Sequence, residues 1–238
     1  MIKKLLRRHL RKHRLEAVPA DSLPTLANAL RRLQARHIPI TTIIDVGASN
    51  GCWSEKILAV YPQADVLCIE AQAAHQPALE RFQALHPRAR FVISAAGNKP
   101  GEIYFDGGDL FGGQASSAPF AKNNVVVPVT TIDAEVERNQ LRGPFLIKLD
   151  THGYEVPILE GAERTLAQTD LLMIEVYNFK IGDQALLFFE LCAWLGKKGF
   201  RCLDLYDLMH RPSDNAFWQM DILFARADRP EFQSSSYR

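Results

Sequence analysis

An aspartate, two glycines and a glutamate are the residues from which the chemistry of this chain can be read. The run Thr42–Gly51, TIIDVGASNG, is an apolar stretch that ends in Asp45 and a turn held between Gly47 and Gly51. About twenty residues later a second apolar stretch, DVLCIE, ends in Glu70. Glycines let backbone approach a ligand with no Cβ in the way. An acid at the end of the next strand suits a ribose diol, so the pattern points to a nucleoside-containing cofactor on an open α/β sheet. The glycines are spaced GxxxG. The GxGxxG that turns a helix N-terminus onto a pyrophosphate is absent, which argues against an NAD-linked oxidoreductase. S-adenosyl-L-methionine carries no phosphate. Its amino-acid end needs acceptors for an ammonium and donors for a carboxylate. Asp45, directly or through water, suits the first, and the backbone around Ala48, Asn50 and Gly51 suits the second. Glu70, followed by Ala71, would accept from the ribose hydroxyls.

A second constellation lies at Asp150, His152 and Glu155, in the run IKLDTHGYEVPILEGA. Asp150 ends an apolar strand, at the edge where open α/β sheets bind ligands. An imidazole titrates near neutral pH, so His152 could take a proton. Each has a plainer reading: Asp150 could cap the next helix, and His152 could be a turn histidine bonded to backbone. Asp150, His152 and Glu155 also offer oxygen and nitrogen ligands within one turn. They lack the histidine-rich set of a tight transition-metal site, and no metal is assigned. Glu175, Tyr177 and Asn178 end the next strand and could face an acceptor. Glu175 could equally pair with Lys148.

These residues need a sheet beneath them. Apolar periodicity predicts a helix over 22–37, strand 42–47, a helix over 51–60, strand 65–70, a helix over 73–86 and strand 89–95. Ala95 and Ala96, at the end of that third strand, are placed near the adenine. Residues 101–105 and 124–131 read as extended, joined by GGDLFGGQASSAPF. That segment is a plain connection or a lid, with Ser116 and Ser117 in a closing loop over the acceptor. Strand 144–150, a helix over 154–168, strand 171–177, a helix over 184–197 and strands 200–206 and 217–225 follow. Alternating strands and helices predict a mostly parallel sheet with helices on both faces. The final two strands have no helix between them, so one of them runs antiparallel.

The charge is unevenly placed. Net charge over the 238 residues is +1, yet residues 1–14, MIKKLLRRHLRKHR, hold seven Lys or Arg and no acid. That leaves 21 basic and 27 acidic residues elsewhere. The arm reads as a solvated helix, a nucleic-acid contact or a peripheral membrane contact through Ile2, Leu5, Leu6 and Leu10. An acidic body speaks against nucleic acid. No uninterrupted apolar run follows the charges, so the arm is not read as a signal peptide, and no segment reaches the length of a membrane span. Cys52, Cys68, Cys192 and Cys202 form no CxxC pair, which suits a reduced, cytoplasmic protein without structural zinc. The expected organisation is a basic helical extension over 1–38, one catalytic domain over 39–227 and a flexible tail over 228–238.

The run Ile147–Ala162 resembles the signature of the FkbM family of S-adenosylmethionine-dependent methyltransferases. DVGASNG at 45–51, Ala-Ser-Ser at 115–117, Thr131-Ile132-Asp133, IEVY at 174–177 and Asp221 to Phe224 extend the resemblance over residues 42–225. It implies a Rossmann-like class I methyltransferase fold with a seven-stranded sheet. It also implies O-methylation of a sugar, glycan, glycolipid or other small metabolite. His152 stands where the family commonly has glutamate or glutamine, and residues 1–14 fall outside the family core. Methyl transfer is an in-line displacement, so holding both reactants does much of the work. Asp150 is the first candidate to anchor or deprotonate the acceptor hydroxyl, and His152 the second. A reading from another class is a catalytically silent protein of the same fold that binds nucleic acid or membrane through its arm.

Overall fold

The structure is a computed structural model and describes residues 19–236. In chain order its strands are β1 (Thr42–Val46), β2 (Asp65–Glu70), β3 (Ala89–Ile93), β4 (Ala95–Ala96), β5 (Gly101–Asp106), β6 (Ala115–Ser116), β7 (Asn124–Thr130), β8 (Phe145–Leu149), β9 (Thr169–Tyr177), β10 (Phe200–His210) and β11 (Phe217–Arg226). Its α-helices are α1 (Leu26–Ala35), α2 (Cys52–Leu58), α3 (Gln76–Leu85), α4 (Ile132–Arg138), α5 (Glu155–Glu160), α6 (Glu163–Leu166) and α7 (Phe188–Lys197). The main sheet has seven strands in the order β10-β11-β9-β8-β1-β2-β3. Strands β3, β2, β1, β8 and β9 pair in parallel, while β11 runs antiparallel to both β9 and β10. This is the Rossmann-like class I methyltransferase sheet, with the antiparallel strand at the predicted end of the chain.

The central strands are buried along their whole length because helices cover both faces. Successive side chains point to opposite faces. Ile44 and Ile147 therefore join one core with Ile158 of α5 and Leu195 of α7. Ile43 and Leu146 join the other with Leu33 of α1, Ile57 of α2 and Leu79 of α3.

Several boundaries differ from the sequence reading, two of them through long-range contacts. The predicted strand 89–95 stops at Ile93. Ser94 Oγ donates to Pro128 O at 2.9 Å, and Ala95–Ala96 pairs with β7 in a second, four-stranded sheet of order β4-β7-β5-β6. The helix expected over 154–168 breaks into α5 and α6 at Gly161, where a Cβ would overlap the Gly97 carbonyl. The first helix starts only at Leu26, with Thr25 Oγ1 accepting from the Asn28 amide. It packs on the main sheet, with Arg32 Nε 2.6 Å from Asp204 Oδ2. In the tail, Pro230–Phe232 forms a 3-10 turn, and Arg201 lies 4.4 Å over the Phe232 ring. The basic arm lies outside the described residues. Among the described residues, no helix is long and apolar enough to cross a membrane.

Candidate active site

The ends of β1, β2 and β8 open onto one cavity, on the side where parallel sheets bind ligands. One wall comes from Val46 to Asn50, Glu70 to Gln72 and Ser94 to Ala96. The β1 turn is tight: Gly47 has φ 72°, and a Cβ on it would overlap the carbonyl oxygen of Asp150. The Glu70 carboxylate is fixed by two amides, Ser49 N to Oε2 and Gln72 N to Oε1, both at 2.7 Å. A carboxylate has about four acceptor sites, so each oxygen keeps one for a ligand hydroxyl. Ile69, Ala71, Ala95, Ala96, Phe105 and Ile158 supply an apolar slot beside it. Leu110 and Phe111 close the cavity from the β5–β6 loop. His75 Nε2 holds Leu110 O at 2.8 Å, and Gln72 Nε2 donates to Asp109 O and Leu110 O at 3.1 and 3.0 Å.

The opposite end is charged. Lys148, almost fully buried, sits 3.0 Å from Asp150 Oδ2 and 3.7 Å from Asp45 Oδ1. Asp45 and Lys148 face each other in the β1–β8 register. Asp45 is wholly buried; Ser54 Oγ donates to its Oδ2 at 2.7 Å and its Oδ1 has no hydrogen bond. Burial pushes the Asp45 carboxyl up against the pull of Lys148. Burial also raises Asp150, but the Lys148 ammonium and the His152 ring outweigh it and hold that carboxyl below its usual range. On β9, burial followed by the charge of Asp150 pushes Glu175 up to about 8. Asp221, directly opposite Glu175 in the β9–β11 register, is pushed up to about 7, chiefly by burial.

His152 links the two ends. Its backbone lies at φ 50°, costly for a non-glycine residue. Its Nδ1 is 3.0 Å from Gly113 O, and a carbonyl only accepts, so Nδ1 carries the proton. Nε2 then stands 3.7 Å from both Asp150 Oδ1 and Glu175 Oε2.

Of the sequence-predicted residues, Gly47, Ala48, Asn50, Glu70, Ala71, Ala95, Ala96, Asp150 and His152 line the cavity. Asp45 does not reach it and stands behind it, against Lys148 and Ser54. Gly51 caps α2 against Phe82 instead of lining the wall. Ser116 and Ser117 are outside: Ser116 pairs with Tyr104, and it is Leu110, Phe111 and Gly113 of that loop that close the cavity. Glu175 sits just behind His152, accepting from Tyr177 OH and Gln219 Nε2. Tyr177 is thereby turned away from the cavity, and Asn178 Nδ2 donates to Phe217 O at 3.2 Å. Asp150 caps no helix, since α5 begins only at Glu155. Glu155 turns inward, accepting from Thr151 Oγ1 and Gly153 N at 3.1 and 2.9 Å. Lys148 and Trp53 were not singled out as site residues, yet both line the cavity, with Lys148 Nζ 5.4 Å over the Trp53 ring. The lysine inside an otherwise apolar strand, FLIKLD, was the available signal.

The fold is that of a Rossmann-like methyltransferase: a class I sheet with a cavity at the ends of its parallel strands. The FkbM methyltransferase domain matches residues 45–202, and the chain belongs to that family, whose methyl donor is S-adenosylmethionine. No curated protein matches the chain. Among solved structures, an uncharacterized protein from Listeria monocytogenes serotype 4b is 13% identical with a TM-score of 0.48, over 87% of this chain and 70% of that one. The 1,6-didemethyltoxoflavin-N1-methyltransferase of Burkholderia thailandensis, bound to 1,6-didemethyltoxoflavin and S-adenosylhomocysteine, is 14% identical with a TM-score of 0.47, over 83% and 78%.

Proposed function

We propose that this methyltransferase methylates a hydroxyl oxygen on a neutral sugar, glycan, glycolipid or similar small polyhydroxylated metabolite. The observation that carries the reading is the Asp150 carboxylate, held ionised by Lys148 at the acceptor end of the cofactor cavity. Such a group has no proton to give and accepts a hydrogen bond from an alcohol. S-adenosylmethionine, when bound, supplies an electrophilic methyl group. Glu70 would hold the ribose, the backbone at Ala48 to Asn50 would hold the amino-acid carboxylate, and Ala71, Ala95 and Ala96 would flank the adenine. Asp150 orients the acceptor hydroxyl and receives its proton as the new C–O bond makes that proton strongly acidic; His152 borders the same space. Asp45 acts through Lys148, not by direct contact.

Charge favours an alcohol over an amine. Asp150 is the carboxylate held ionised beside Lys148, whereas burial raises Asp45, Glu175 and Asp221. An ionised carboxylate holds a nearby amine protonated, hiding its lone pair, and repels carboxylate and phosphate acceptors.

Calorimetry with S-adenosylmethionine and S-adenosylhomocysteine, on wild type and Glu70→Ala, tests the cofactor half. We expect micromolar binding, weakened at least about tenfold in the variant by loss of the hydroxyl hydrogen bonds. A radiolabelled-methyl screen then compares neutral sugars and glycolipids with amines. Absence of cofactor binding by folded wild type overturns the reading, and labelling confined to amines overturns the O-methyl assignment.

A further inference from the structure

We propose that Asp150, His152 and Glu175 bind one divalent cation of the Mn2+ class at the acceptor end of the cavity. The site deepens the methyl-transfer reading above and rests on it for its chemical role, though not for its geometry.

Three side chains from two neighbouring strand ends each offer one ligand atom, all within 4.8 Å of one another. His152 Nε2 is 3.7 Å from an oxygen of each carboxylate. Two ligands bonded to one ion at about 2.0–2.2 Å can lie up to about 4.2 Å apart, so these pairs already fit a shared centre. The remaining pair needs at most a small rotation.

The histidine is set for ligation. Its Nδ1–H is committed to Gly113 O, so Nε2 is the ring nitrogen left for a metal, and it faces two carboxylates. Fixing one ring nitrogen on a backbone carbonyl so that the other can bind metal is the usual support for a histidine ligand. Lys148 does not lie among the three ligand atoms: it sits on the far side of Asp150, bonded to Oδ2, whereas Oδ1 faces the histidine.

One imidazole and two carboxylates suit Mn2+ or a similar first-row ion better than a thiolate-preferring one. Asp150 and His152 line the cavity, so the open coordination positions face the acceptor. A hydroxyl bound there would lose its proton more readily. Acceptors with a second oxygen on the adjacent carbon would chelate the ion, which narrows the substrate class to vicinal diols and their relatives. Glu155, three residues after His152, lies outside this cluster: it turns inward, its Oε1 accepting from Thr151 Oγ1 and Gly153 N.

The test is Mn2+ alone, titrated into the chelator-treated full chain without cofactor and followed by the electron paramagnetic resonance of free Mn2+. We expect one Mn2+ per chain. Asp150→Asn and the isosteric Glu175→Gln should each weaken uptake at least about tenfold, and Glu155→Gln should leave it unchanged. Circular dichroism confirms that each variant is folded, and His152→Gln provides a third ligand variant should one of the others fail to fold. No uptake by wild type below about 1 mM, the weak end of functional divalent sites, overturns the proposal. So does uptake that survives the ligand variants. Calorimetry with S-adenosylmethionine keeps the two readings apart. Mn2+ uptake without cofactor binding leaves the cation site standing and sinks the methyl-transfer reading; cofactor binding without Mn2+ uptake does the reverse.

Discussion

Replacing Lys148 by methionine should destabilise the protein in a pH-dependent way. The Nζ atom stands 3.7 Å from Asp45 Oδ1 and 3.0 Å from Asp150 Oδ2, with 7% of the lysine side chain exposed. Asp45 is 0% exposed, and its one hydrogen bond comes from Ser54. Methionine fills most of the lysine volume, so the loss is electrostatic. Breaking a buried pair in this way costs about 3–5 kcal/mol. At about 2–4 °C per kcal/mol for a chain of this size, the melting midpoint should fall by roughly 6–20 °C. The sign with pH follows from protonation. Below the ordinary aspartate value of 3.8, Asp45 is protonated in both folded and unfolded chains and contributes nothing. Above it, the folded chain retains a proton that the unfolded chain has released, and stability falls as pH rises until the raised folded value is passed. Losing Lys148 pushes that folded value higher and extends the falling range. Asp150, held low by Lys148, loses a stabilisation present only above 3.8, in the same sense. The deficit of Lys148→Met relative to wild type should therefore be smaller near pH 4 than at pH 8. Urea or thermal unfolding at both pH values, with EDTA present so that no cation substitutes for the ammonium, measures it. A companion Asp45→Asn/Lys148→Met should recover much of the loss, because the stranded charge is gone. An equal deficit at both pH values, or a loss below about 1 kcal/mol, refutes the electrostatic account.

Two further substitutions separate the cofactor turn from its cover. Gly47→Ala forces a left-handed alanine, costing about 1–2 kcal/mol, and drives a Cβ into the Asp150 carbonyl. Calorimetry should show S-adenosylmethionine binding weakened at least tenfold, and near-wild-type affinity would mean that the turn need not stay close to β8. Phe111 is 64% exposed, so Phe111→Ala should change stability by no more than about 0.5 kcal/mol. It should nevertheless loosen cofactor binding by about 1–2 kcal/mol, or roughly 5–30-fold, through faster release. Unchanged affinity in stopped-flow release experiments would remove the loop's role as a cover.

What the sequence disclosed follows the range over which each feature is determined. Strand β2 ends at Glu70 as read, because an apolar run and its terminal acid are local facts. The break after Ile93 depends on Ser94 reaching Pro128, and the division of α5 from α6 depends on Gly161 meeting Gly97. Neither partner lies within a window over which periodicity can be counted. Asp45 and Lys148 are more than a hundred residues apart, and only the β1–β8 register sets them opposite each other. That register changes the meaning of Asp45, from a group read as touching the cofactor to one that holds Lys148, which in turn holds Asp150. His152 and Glu175 meet for a similar reason: one follows β8, the other ends β9, and those strands are neighbours. Glu155, three residues after His152, is satisfied by its own turn. The acid that completes the charged cluster arrives from the adjacent strand, and the parallel sheet delivers both strand ends to the same edge. A side chain's role at that edge is thus set by pairing order, which local spacing does not encode. The cluster of acids at the charged end of the cavity belongs to the same category. It arises only when β1, β8, β9 and β11 lie side by side, which sets Lys148 among Asp45, Asp150 and Asp221 and Glu175 opposite Asp221.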